Sequence, residues 1–194
     1  MLNTAFTAIR TLLFLTLITG VLYPLIVTGF SERLFPFQAN GSLIFENERV
    51  IGSALLAQNF TKDEYFWPRP SAGNFGTIPS SASNAGPTSA ALKIRIEEKK
   101  QFLLKKHPDQ TIVPPDLLFA SASGLDPHIS PAGAYFQMQR VAIARKLDVD
   151  QTEDLKKLIE KSIEKPSFGF IGEKRINVLR LNLNLNSKFG KIGP

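Results

Sequence analysis

Residues 11–30, TLLFLTLITGVLYPLIVTGF, run for 20 residues without a charge between Arg10 and the pair Glu32 and Arg33. At about 1.5 Å of rise per residue, a helix of that length spans about 30 Å, the hydrocarbon thickness of a bilayer. A cleavable signal has a shorter apolar core and a small-residue cleavage site, and here Val27-Thr28-Gly29 is a poor substitute for one. The stretch therefore reads as a retained transmembrane helix at 11–30, after a short tail at 1–10 and before a soluble domain at 31–194. Arg10 and the amino terminus precede the helix, while Arg33 beyond it is accompanied by Glu32. That weak bias places the N-terminus in the cytoplasm and the domain outside.

The same helix carries a pattern of its own. Thr16, Gly20, Pro24 and Thr28 recur every four residues and line up as a ridge of small side chains, the kind of surface that lets a second helix approach closely in lipid. Pro24 lacks an N–H and its ring crowds the carbonyl of residue 20, so an irregularity near Tyr23–Pro24 is expected. The helix reads as an interface for a membrane partner as well as an anchor.

Hydrophobic content of 43% and charged content of 21% are those of a folded protein. About 160 residues follow the helix, enough for one domain with a real core. Arg10 is the only charged side chain before Glu32, so this part holds 22 of the 23 basic residues and all 17 acidic ones, a net +5. The densest basic run, Lys93–Lys106, contains two glutamates and no interleaved aromatic platform, which argues against nucleic-acid binding and for a solvated helix face. The chain has no cysteine, which excludes a lipid-modified cysteine anchor, a thiol nucleophile and any cysteine-based metal site.

Beyond the helix, Phe35–Gly41 reads as a loop, and Leu43–Phe45 with Val50–Leu55 as two strands around a polar turn at 46–49. Residues 61–90 form a long irregular segment containing Pro68, Pro70, Pro79 and Pro87. Tyr65, Phe66, Trp67 and Phe75 give it something to bury, so it reads as functional rather than disordered. A helix capped by Thr88, with Leu92, Ile96 and Leu103 facing the core, ends before Pro108. Leu117–Ser123 reads as a strand. Ser130-Pro131 starts a helix to about Lys146, and Asp150 with Glu153 starts another to about Lys165. Ile176–Asn186, INVLRLNLNLN, alternates leucine with polar residues and predicts a half-buried strand. The fold class expected is a single N-terminal transmembrane helix plus one mixed α/β (α+β) extracytoplasmic domain.

Chemistry concentrates in residues 121–130, SASGLDPHIS. Ser123, Asp126 and His128 have the groups of a hydrolase triad, but G-x-S-x-G is absent and a two-residue Asp–His spacing suits a turn. Ser123, Gly124, Asp126, His128 and Ser130 are therefore read as a structural or partner-contacting loop, with Ser130 as a helix cap. His107 and His128, far apart in sequence, do not make a metal site, and His107 at a helix end would serve the helix dipole. No phosphate-binding glycine loop of the G-x-x-x-x-G-K-[ST] type is present. Arg69, Ser71, Ser83 and Asn84 are weak candidates for a nucleotide contact. From the residues alone the chain reads as a membrane-anchored accessory or binding module. Alternatives are a tethered chaperone for an unrelated partner and an anchored Ser/His/Asp hydrolase.

These motifs, in this order, resemble the C subunit of the Kdp potassium-transporting P-type ATPase. The matching pieces are Thr19-Gly20, Tyr23-Pro24-Leu25 and Thr28-Gly29 in the helix, then Phe35-Pro36 and Gln38–Leu43, Gly52-Ser53, Tyr65-Phe66 and Arg69-Pro70-Ser71. Ser83-Asn84, Gly86-Pro87-Thr88, Ser123–Ser130, Arg140-Val141-Ala142 and Gly172-Glu173 continue the series. Where the family usually has two glycines before Ser-Asn, this chain has Ser81-Ala82. The resemblance implies a single-pass subunit in a bacterial inner membrane, working beside a channel-like potassium-translocating subunit and a P-type ATPase subunit. It implies an assembly factor and catalytic chaperone that raises the ATP affinity of the ATPase subunit. No D-K-T-G-T phosphorylation sequence occurs here. No tightly bound cofactor is expected, and ATP is reached only through the partner subunit, with the membrane helix as the route of influence.

Overall fold

A computed structural model describes residues 2–78 and 80–191, so Pro79 and the extreme termini lie outside the described residues. The chain falls into two compact units, divided between Ser53 and Ala54.

The first unit begins with helix from Leu2 to Leu34, 33 residues of which none is buried, long and apolar enough to cross a membrane. Helix therefore extends on both sides of the expected 11–30, because Asn3–Ile9 and Ser31–Leu34 are also compatible with helix. α1 (Leu2–Leu17) and α2 (Tyr23–Leu34) are joined without a break by a π turn at Ile18–Leu22. There the N–H of Tyr23 reaches back five residues to the carbonyl of Ile18. The expected irregularity before Pro24 takes this form: the widened turn holds Gly20, whose carbonyl the proline ring would otherwise crowd. A Cβ added to Gly20 would meet only Thr16 Cγ2, at 3.8 Å, so these two ridge residues share a face. The segment expected as a plain loop contains a single helical turn, α3 (Pro36–Ala39). β1 (Leu43–Glu46) and β2 (Arg49–Ser53) then pair antiparallel. Asn47 and Glu48 connect them at φ 48° and 65°, the two-residue turn whose twist matches a hairpin.

The regular structure of the second unit is mostly helix. α4 (Ala90–Lys106) is capped by Ser89 rather than Thr88, with the Ser89 hydroxyl accepting from Leu92 N at 3.3 Å. Leu103 is buried as expected, whereas Leu92 and Ile96 are only half-buried. α5 (Pro131–Ala144) starts where Ser130-Pro131 predicts, with Ser130 Oγ accepting from Gly133 N at 2.9 Å. α6 (Val149–Lys161) starts two residues before the expected site. Its reciprocal cap is Asp148 with Gln151, and Asp150 sits in the first turn, where a carboxylate favours the dipole.

Two expected strands are not strands. Leu117–Ser123 follows a 3₁₀ turn at Pro115–Leu117 and is irregular: Leu118 and Phe119 donate to Pro115 O, so they are committed to the turn before any strand could pair. The leucine–asparagine alternation gives only β4 (Ile176–Asn177), paired antiparallel with β3 (His128–Ile129), and then becomes α7 (Val178–Phe189). Asn177 caps this helix by accepting from Arg180 N at 3.1 Å. Val178, Leu181, Asn182 and Leu185 are buried, a spacing of three and four residues, while Leu183 is half-buried. Leucine favours helix over strand, and within the alternating run leucines four apart, such as Leu181 and Leu185, also share one helical face, so the alternation is ambiguous. α7, α6 and α5 pack around Leu155, Ile159, Leu181, Leu185 and Val141, with Phe66 and Trp67 of the irregular segment in the same core.

The architecture is thus one long apolar N-terminal helix plus a mixed helix–strand domain, the strands among the described residues being two short antiparallel ladders.

Candidate functional site

The irregular segment at 61–90 enters the core through two adjacent backbone positions, each read by a buried amide. Asn182 of α7 accepts from Phe66 N and donates to Phe66 O, both at 2.9 Å. Gln137 of α5 accepts from Trp67 N at 2.7 Å and donates to Trp67 O at 3.1 Å. Neither backbone residue has a strand neighbour, and the two amides replace one. Arg140 completes the clamp: it donates to the carbonyls of Asp63 and Tyr65, to Gln137 Oε1 at 2.8 Å and to His107 Nε2 at 3.0 Å. Its guanidinium lies 3.7 Å from the centre of the Trp67 ring. Burial pushes its pKa down to about 10, still charged at neutral pH.

His107 is therefore not a cation serving the α4 dipole. Its Nε2 must accept from Arg140 Nε, so Nδ1 carries the proton and donates to Leu103 O at 2.7 Å, satisfying a carbonyl of the last turn. The ring is fully buried, and burial lowers its pKa. Its position at the helix end is as the sequence predicts; its charge is not. Arg145 holds the same segment from the other side, donating to Glu64 O at 2.8 Å, Gly190 O at 2.9 Å and Asn186 Oδ1 at 2.7 Å. Gln137, Asn182, Arg140 and Arg145 are not legible as a group, since their meeting depends on how α6 gathers α5 and α7 around the irregular segment.

The loop at 121–130 is a turn, as its spacing suggests. Asp126 Oδ1 accepts from both His128 N at 3.0 Å and His128 Nδ1 at 3.1 Å, and Arg69 Nη1 binds Oδ2 at 3.0 Å. Burial raises the Asp126 pKa, but the His128 hydrogen bonds and the Arg69 charge outweigh it and hold the carboxyl below its ordinary value. Ser123 Oγ accepts from Leu125 N at 3.1 Å, a local turn. Asp126 and His128 are thus hydrogen-bonded, while the Ser123 hydroxyl serves its own turn rather than the imidazole. Gly124, at φ 69°, is required: a Cβ there would lie 2.9 Å from Ser81 O and 3.1 Å from Ser71 Oγ. Ser130 binds Asp116, which accepts from Ser130 N at 2.7 Å and from its hydroxyl at 3.0 Å. A Cβ at Gly133 would lie 2.9 Å from Asp116 Oδ2, so glycine admits that carboxylate.

One cleft borders this loop and a second lies against α4. A polar one of ≈380 Å³ is lined by Arg69, Asp116, Asp126, His128, Ser130 and Arg175. The other, ≈390 Å³, is lined by Ser71, Ser83, Leu92, Arg95, Lys99 and Phe119, among others. Burial lowers the pKa of Lys99. The four candidate nucleotide contacts are thereby divided. Arg69 lines the first cleft, Ser71 and Ser83 the second, and Asn84, at φ 48°, is not among the described lining residues of either. Ser71 Oγ also accepts from Phe75 N at 2.8 Å, so it is partly committed to its own loop.

A helix long and apolar enough to cross a membrane, followed by a small mixed helix–strand domain, fits a membrane protein. The family model described as "KdpC: K+-transporting ATPase, c chain" matches residues 5–187, and the chain belongs to this family. Among its relatives, a protein of Leptospira interrogans named "Potassium-transporting ATPase KdpC subunit" is 58% identical over 191 residues, covering 98% of this chain and 97% of the relative. Proteins of the same name from Methylococcus capsulatus and Myxococcus xanthus are 48% and 45% identical, covering 96% and 99% of this chain and 99% and 92% of theirs.

Proposed function

We propose that this chain is a non-catalytic accessory subunit of an ATP-driven potassium uptake complex in a bacterial inner membrane. It stabilises the assembly of a channel-like potassium-translocating subunit with a P-type ATPase subunit. The observation that carries this reading is the family match across residues 5–187. In this reading α1 and α2 form the single membrane pass, the N-terminus is cytoplasmic, and the domain at 31–194 lies outside. The ridge Thr16, Gly20, Pro24 and Thr28 seats a neighbouring membrane helix, and the loop Ser123–Ser130 holds the domain in shape for its partners.

The chain also acts as a catalytic chaperone that raises the ATP affinity of the ATPase subunit. Three observations favour an effect without a tight nucleotide site of its own. Arg69 is in one cleft, Ser71 and Ser83 in another and Asn84 in neither, Ser71 is bound to its own loop, and residues 81–82 are Ser-Ala, where the family resemblance would put two glycines. Influence on a cytoplasmic nucleotide from outside then requires the helix to bias a two-state element of its partners.

The test is potassium-stimulated ATPase activity of the reconstituted complex with and without this chain. Without it, the ATP concentration giving half-maximal rate should rise and the complex should dissociate more readily. An unchanged ATP dependence would remove the chaperone role, and tight ATP binding by the full chain alone would overturn the indirect route.

A further inference from the structure

The π turn at Ile18–Leu22 leaves one carbonyl without either of its usual backbone donors. A helical carbonyl accepts from the N–H four residues ahead, or five ahead in a π turn. For the Thr19 carbonyl those donors belong to residues 23 and 24. Tyr23 N donates to Ile18 O, and residue 24 is proline, which has no N–H to give. The threonines of this helix do not make up the loss. Thr7 donates to Asn3 O at 2.9 Å and Thr19 to Leu15 O at 2.7 Å, both toward the N-terminus and away from the Thr19 carbonyl. Gly20, on the other side of the same peptide bond, has no side chain to cover it, and a Cβ built there would meet only Thr16 Cγ2.

The depth of this group makes its lack of a donor matter. Thr19 is 8 residues from Thr11 and 11 from Phe30. At about 1.5 Å per residue it lies about 12 Å inside one end of the apolar stretch and about 16 Å inside the other. A backbone carbonyl left unsatisfied in hydrocarbon costs several kcal/mol, and lipid chains offer no donor. A ridge of small side chains only lets a second helix come close. An acceptor without a donor calls for a particular group on that helix.

We propose that the Thr19 carbonyl accepts a hydrogen bond from a donor side chain on the neighbouring membrane helix, a hydroxyl, an amide or a guanidinium; this rests on the reading of α1 and α2 as the membrane pass of a subunit. The ridge Thr16, Gly20, Pro24 and Thr28 brings that helix within reach, and the carbonyl sets its register.

The test uses the full chain in bilayers, alone and in the assembled complex. Thr-Gly occurs twice in the chain, at Thr19-Gly20 and Thr28-Gly29. Labelling threonine carbonyls with carbon-13 and glycine nitrogens with nitrogen-15 therefore selects two carbonyl signals in solid-state NMR. Thr28, inside α2, is the internal reference. In the chain alone the Thr19 carbonyl should resonate upfield of Thr28, as an unbonded carbonyl does. In the complex it should move downfield while Thr28 stays in place. A Thr19 signal already at the hydrogen-bonded position in the chain alone shows that water or the helix itself serves it, and overturns the proposal. A signal that does not move on assembly overturns it too. In parallel, Pro24→Ala supplies the missing N–H and permits a regular helix, in which Tyr23 N serves Thr19 O, while the ridge stays small. Retention in the complex should then weaken by about 3- to 10-fold, the scale of one interhelical hydrogen bond in lipid. Equal retention of Pro24→Ala and wild type overturns the acceptor, and does so alone if Gly20→Leu still weakens retention. Equal retention of Gly20→Leu overturns the ridge as the route of approach, and the acceptor with it.

Discussion

Arg140→Met removes a buried cation whose hydrogen-bond partners are all uncharged: two carbonyls, an amide oxygen and a neutral imidazole. The four bonds given by this charged donor are each of the stronger kind, ~1.5–3 kcal/mol. Against their loss stands the relief of burying a guanidinium, several kcal/mol. What remains is the cost of leaving Asp63 O, Tyr65 O and His107 Nε2 without a donor, ~1–3 kcal/mol for each group that water does not reach. Asp63 and Tyr65 are half-buried, so water recovers part of that, and the net loss is ~4 kcal/mol. At ~3 °C per kcal/mol for a chain of this size, the midpoint of thermal unfolding falls by roughly 12 °C. Trp67 is the only tryptophan and lies under the guanidinium, so its fluorescence reports the clamp while far-UV circular dichroism reports global unfolding of the solubilised full chain. Arg140→Lys keeps the charge but cannot fork to four partners, and should recover little of the loss. A midpoint for Arg140→Met within ~2 °C of wild type, with unchanged Trp67 emission, would refute the clamp.

Three further outcomes follow from other parts of the molecule. His107 is neutral and buried, so the unfolded state takes up a proton near pH 6.5 while the folded state does not. Stability should fall as pH drops below about 6.5, and denaturant titrations of His107→Gln should show a shallower dependence over that range. Gly124→Ala should destabilise the domain by ~1–3 kcal/mol, since φ 69° and the 2.9 Å approach to Ser81 O both oppose a Cβ; a midpoint equal to wild type in urea would contradict that geometry. A Cβ at Gly20 would meet only Thr16 Cγ2, so in Gly20→Leu secondary structure should persist while association with the membrane partner weakens, and unchanged co-purification would remove the ridge from the interface.

Features set by near neighbours were legible. Ser130-Pro131 starts α5 because a hydroxyl and a fixed φ act within one turn, and the Asp126–His128 turn forms because the two groups are two residues apart. The leucine–asparagine run misled because alternation describes a strand only if a partner strand exists. β3 offers two residues, and the rest of the run takes a helix that packs on α6. His107 was placed correctly at the end of α4, but its protonation depends on Arg140, 33 residues away.

The sequence by itself determined the apolar helix, the irregular 61–90 segment and the family, because length, composition and the order of motifs are one-dimensional properties. Tertiary structure alone decided what holds that segment. Gln137 and Asn182 look like surface amides on paper, yet the fold, with α6 packed against both α5 and α7, buries them opposite Trp67 and Phe66. A buried backbone without a strand neighbour needs donors and acceptors from elsewhere, and only the folded core could supply them.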